Sequence, residues 1–133
     1  GQVQLYPRVN QLYRELPQDL TAKTFNLTVT TTGGNYEFTG QDRQASHSNS
    51  YGATINMNVN DTVNFNLSNV STSHPFYIKT VQGTGTGNQV TNPVANNQGA
   101  TGTSTVSWTP SAAGTYYYQC SNHNAMNGQI IVT

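Results

Sequence analysis

Apolar and polar residues alternate over short runs along most of this chain, with the two-residue period of strands half-buried against a core. Residues 24–32 (TFNLTVTTT) set Phe25, Leu27 and Val29 on one side and polar residues on the other. Gly33-Gly34 then marks a turn, and Tyr36-Glu37-Phe38 begins a second strand. Residues 53–59 turn Ile55, Met57 and Val59 to one side, and residues 62–67 do the same with Val63, Phe65 and Leu67. The pair Asn60-Asp61 makes the turn between them. Runs at 76–81, 104–109, 115–120 and 129–133 complete the series, with Trp108 expected in the core. About eight strands divided by turn-rich loops predict an all-β, two-sheet sandwich. No segment carries a capped helical stripe; the nearest, residues 10–20, is interrupted by Pro17.

Composition sharpens this picture. A chain of 133 residues makes one compact domain. Only 8% of its residues are charged, too few for exposed helices. Five basic residues balance five acidic ones, so no basic surplus points to nucleic acid or an anionic membrane surface. No apolar run approaches the ~18 residues that would predict a membrane span. The start at Gly1, without a Met or a signal-like run, reads as a processed product or a fragment.

Two segments differ from the rest. Residues 1–23 hold five of the ten charged residues and spaced apolar residues such as Leu5, Leu12 and Leu16. They read as an N-terminal arm or adaptor preceding a sandwich domain at 24–133. Residues 82–102, rich in Gly, Thr and Asn, form a loop long for a sandwich, of the kind that is functional or mobile.

The chemistry gathers near the C-terminus. Cys120-Ser-Asn-His123-Asn-Ala-Met126 sets a thiolate, an imidazole and a thioether within seven residues, between two strands. His74, in Ser73-His74-Pro75-Phe76, leads into another strand that can neighbour the first. The single cysteine excludes an internal disulfide. Two imidazoles, one thiolate and one weak thioether are the donors of a trigonal copper site with a long axial bond. By strand parity, Tyr116, Tyr118 and Cys120 face inward while Tyr117 and Gln119 face out. Gly114-Thr115-Tyr116 has the form of a tyrosine corner. His47 reads as a solvent-exposed loop residue outside the site. A zinc site would want more thiolates, or His47 as a further imidazole. Nucleophilic catalysis by Cys120 would need an orienting acid that the sequence does not point to.

These segments, Gly114-to-Val132 (GTYYYQCSNHNAMNGQIIV), Asn60-Asp61-Thr62-Val63 and Ser73-His74-Pro75-Phe76, resemble the cupredoxins, kin of plastocyanin and azurin. The resemblance spans residues 35–133, and the Cys-x2-His-x2-Met spacing is similar to the short ligand loop of the amicyanins. Tyr36-Glu37-Phe38-Thr39-Gly40-Gln41-Asp42-Arg43 resembles plastocyanin-like modules of marine microbial and phage-encoded proteins. The resemblance implies a Greek-key β-sandwich holding one blue copper ion, cycling Cu(I)/Cu(II), through His74, Cys120, His123 and Met126. It implies a redox partner protein, an extracytoplasmic location (periplasmic or secreted), and no enzymatic activity, since three histidines cannot furnish the further centres of a copper oxidase or nitrite reductase. The alternative is a structural or display module on a virion or surface protein, attached to a capsid or surface protein through the arm. Pro75 stands where the family commonly has Asn, so one backbone N–H toward the cysteine sulfur is missing. The loop also carries Asn122, Asn124 and Asn127 where redox cupredoxins have an apolar docking patch.

Overall fold

The computed structural model describes residues 19–133. Among them run nine strands: β1 (Thr24–Thr32), β2 (Asn35–Gln41), β3 (Ser46–Tyr51), β4 (Ile55–Met57), β5 (Thr62–Leu67), β6 (Phe76–Lys79), β7 (Thr105–Trp108), β8 (Gly114–Cys120) and β9 (Asn127–Val132). They form a five-stranded sheet in the order β3-β2-β1-β5-β7 and a four-stranded sheet in the order β4-β9-β8-β6. From β3 onward the chain passes repeatedly between the sheets, and the crossings leave two parallel pairs, β1·β5 and β4·β9. No described helix is long and apolar enough to cross a membrane.

The inward positions are those that the alternation marks. Leu27, Val29, Phe65 and Val106 from one sheet meet Ile78, Tyr118 and Ile130 from the other, all fully buried. Burying a side chain of this size contributes about 1.5–3 kcal/mol. The aromatic members interlock: Phe38 lies edge-on to Tyr118 at 4.6 Å, and Phe76 contacts both Tyr36 and Phe65 at 5.0 Å. Tyr116 donates to Ala112 O at 2.9 Å, closing the tyrosine corner. Trp108 is buried in the core, its Nε1 donating to Pro93 O.

Strand β3 is absent from the pattern-based reading. Its sequence SHSNSY has no apolar face because it lies at a sheet edge, largely open to solvent. His47 sits on this strand and departs from the expected solvent exposure. Pairing with Gly40 brings it beside Asp42, and its Nε2 lies 2.8 Å from Asp42 Oδ2 with the ring mostly covered. Residues 1–18 of the expected arm lie outside the described residues. Residues 19–23 run against the sandwich, with Asp19 O and Thr21 O accepting from Arg43 and Lys23 O accepting from Thr62 N. The long segment 82–102 is folded onto the sandwich, with Val90, Ala95 and Ala100 buried and bridges to β6 and β7.

Candidate metal centre

One strand pairing assembles the site. Antiparallel β6 and β8 are in register with Phe76 opposite Cys120, so the His74-Pro75 segment entering β6 arrives beside the last residue of β8. His74 N–H donates to Ser71 O, which turns the segment, and the buried Tyr36 hydroxyl donates to His74 O at 2.9 Å. The loop after Cys120 closes on itself: Met126 N–H donates to His123 O and Cys120 N–H to Met126 O. Asn122 Nδ2 donates to Ser73 O at 3.0 Å and ties the two loops together.

The result is a convergence of donors. Cys120 Sγ lies 3.4 Å from His123 Nδ1 and 3.8 Å from His74 Nδ1. The donor atoms of all three residues fall within 4.8 Å of one another. Metal bonds of about 2.0–2.3 Å at tetrahedral to trigonal angles put nitrogen and sulfur donors about 3.5–3.7 Å apart. Both observed separations bracket that interval, so the three side chains fit one transition-metal ion. The Met126 side chain is fully buried in the core that also contains Cys120. His47 is committed to Asp42 and takes no part in the cluster.

The surroundings favour a neutral ring at His74. Its pKa is lowered, first by burial and then by the neighbouring His123, and both effects disfavour the protonated ring. One backbone N–H, that of Asn122, donates to Cys120 Sγ at 3.5 Å. Pro75 supplies none, as its ring requires. Cys120 is sealed from solvent, His74 half-buried and His123 exposed, so only the His123 side of the cluster faces outward.

No protein-family model matches the chain, and no curated protein matches it. Solved structures do. A methionine-to-leucine variant of rusticyanin is 19% identical at a TM-score of 0.56, over 96% of this chain and 93% of that one. Reduced rusticyanin is 20% identical at a TM-score of 0.52, over 96% and 95%. Rusticyanin from Thiobacillus ferrooxidans is 19% identical at a TM-score of 0.52, over 96% and 93%.

The chain has the cupredoxin fold.

On this cupredoxin sandwich the structure shows three site features that the sequence reading passed over. Tyr36, read as part of a strand and of a family-like segment but not of the site, donates to the His74 carbonyl. Asn122, read as loop polarity, both donates to the sulfur and ties the loops. Gln119, assigned by parity to the outer face, is fully buried there. The signal for Gln119 was its position directly before Cys120. Its burial depends on a distant segment, which strand parity does not report.

Proposed function

We propose that this chain binds one copper ion through His74, Cys120, His123 and Met126 as a type 1 site and carries single electrons between partner proteins outside the cytoplasm. The observation that carries the reading is the convergence of one buried sulfur and two imidazole nitrogens at metal-binding separations, at the mouth of a cupredoxin sandwich. Copper bound there supplies one-electron chemistry between Cu(II) and Cu(I). The donor set is soft enough for the reduced ion and nitrogen-rich enough for the oxidised one.

The chain's own residues account for the rest. Hydrogen bonds from Tyr36 to His74 O and from Asn122 to Ser73 O fix the His74 loop, which keeps the donors near their bonding positions. The buried Cys120 side of the cluster excludes water. The exposed His123 edge gives a partner protein its approach, through a rim made polar by Asn122 and Asn124. Such a rim favours a partner surface that hydrogen-bonds over one that is purely apolar. With His74 and His123 in the cluster and His47 held by Asp42, none of the three histidines is left for a second copper centre. That favours a carrier over a copper enzyme. The display alternative draws on the arm, most of which lies outside the described residues, and none of the similar structures named above favours it.

The test is the visible spectrum of the purified protein with stoichiometric Cu(II), after ferricyanide oxidation. An intense thiolate-to-copper band is expected, together with stabilisation of about 4 kcal/mol when free copper exceeds its dissociation constant a thousandfold. Cys120→Ser loses both and keeps the sandwich. A folded but colourless wild type overturns the reading.

A further inference from the structure

The loop that bears the proposed ligands is gripped from the side the donors do not face. Gln119 points to the outer surface of the β4-β9-β8-β6 sheet, yet its side chain is fully buried. Its Nε2 donates to Cys120 O at 2.9 Å, to His123 O at 2.9 Å and to Asn124 O at 3.4 Å. Its Oε1 accepts from Gly83 N and from Asn127 Nδ2, each at 3.0 Å. One carboxamide thus bonds the carbonyls of both Cys120 and His123 and joins them to residue 83.

Residue 83 is itself anchored. Lys79, on the outer side of neighbouring β6, is 1% exposed, and its ammonium donates to Gly83 O and Gly85 O at 2.8 Å each. No carboxylate pairs with it among the described residues. A buried ammonium is costly unless its protons are satisfied, and here backbone carbonyls satisfy them, so residues 83–85 are held around it. The strap returns to the ligand loop through Gly85 N, which donates to Ser121 O at 2.8 Å.

We infer that Gln119 is a positioning residue for the 120–126 loop, with Lys79 fastening residues 83–85 over it as a strap. The spectroscopic part of this inference rests on the copper reading above; the backbone part does not. Without the Gln119 carboxamide, the carbonyls of Cys120 and His123 lose a buried donor, and the loop loses its tie to the sheet. The sandwich core is on the opposite face and keeps its contacts.

The experiment compares wild type, Gln119→Leu and Lys79→Met in two states. In the copper-free proteins, amide hydrogen exchange at Asn122 and Met126 is expected to quicken about tenfold in Gln119→Leu, while that of Phe65 and Leu27 is unchanged. In the copper-loaded proteins, the Cu(II) hyperfine splitting and the ratio of the two thiolate bands are expected to shift. Lys79→Met should change both in the same direction by less. Wild-type exchange in the 120–126 loop overturns the inference. Faster exchange with an unaltered copper spectrum also overturns it, since Gln119 would then stabilise the loop without setting the donors. Should the wild type itself show no thiolate band, the copper reading falls, and loop exchange alone decides whether Gln119 holds the loop. Should Gln119→Leu fail to fold, Lys79→Met decides on the same readouts.

Discussion

The two ends of the sandwich treat buried polar atoms in opposite ways. At the end where β1 and β5 begin, Asp61 is fully buried and accepts from Arg43 Nε and Nη2, Lys23 N and Asn58 N, all within 2.9 Å. Nearby Asp42 accepts from Gln44 N, Ala45 N and Asn56 N and pairs with His47. Every lone pair there has a donor from the protein. At the end where β8 stops, Cys120 Sγ lies 3.4 and 3.8 Å from the Nδ1 atoms of His123 and His74, with few donors between them. A carboxylate saturated by N–H groups locks a fold; electron-rich atoms turned toward a common point suit a cation. The far end is therefore read as a fastening and the near end as a centre, although both are polar clusters on the same core.

That contrast predicts independence. Arg43→Met leaves Asp61 buried with two of its four donors gone, frees Asp19 O and Thr21 O, and is expected to cost about 3 kcal/mol. The urea midpoint measures it. The copper band of the folded variant should be that of wild type; a changed band would show that the fastening reaches the centre.

A smaller effect separates the ends by pH. Burial opposes ionisation of Asp61, but the Arg43 bonds and the backbone N–H groups outweigh it and hold its pKa at about 2. The folded value lies below the ordinary carboxylate value near 4, so the contribution is complete above that value and is lost as pH falls toward 2. The loss amounts to about 2 kcal/mol for this group. Asp61→Asn should flatten stability against pH in that window, as followed by thermal unfolding of the copper-free protein. A wild-type profile already flat from pH 5 to pH 2 would contradict the ion-pair reading.

The sequence carried one kind of information well. β1 and β5 run over the residues that alternation marked, because each has one buried and one solvated face. The nearness of Cys120 to His123 followed from a three-residue step; that of His74 to Cys120 was open to any two strands that could neighbour each other, and the pairing of β6 with β8 decides it. What escaped were polar residues whose burial comes from elsewhere in the chain. Gln119 and Lys79 carry outward parity, and their burial draws on residues 83–85, far from Gln119 in the chain. His47 lies on a strand with no apolar face, and only the sheet register places it against Asp42. Local period reports the side of a sheet; it is silent about what lies over that side.

The smallest expected effect lies at the sulfur itself. Asn122 N is the one backbone donor to Cys120 Sγ among the described residues, and at 3.5 Å it is long. Each N–H on a thiolate withdraws electron density that would otherwise stabilise Cu(II), so a sulfur with few donors favours the oxidised ion. Pro75→Ala restores an N–H to the segment that runs beside the sulfur, next to Ser73 and His74. If that N–H reaches Sγ, the reduction potential rises by up to about 59 mV, the one-electron equivalent of a tenfold shift. Arg43→Met, at the other end, should leave the potential where it is. Equal potentials for Pro75→Ala and wild type would mean that the restored N–H misses the sulfur, and that Asn122 alone sets its hydrogen bonding.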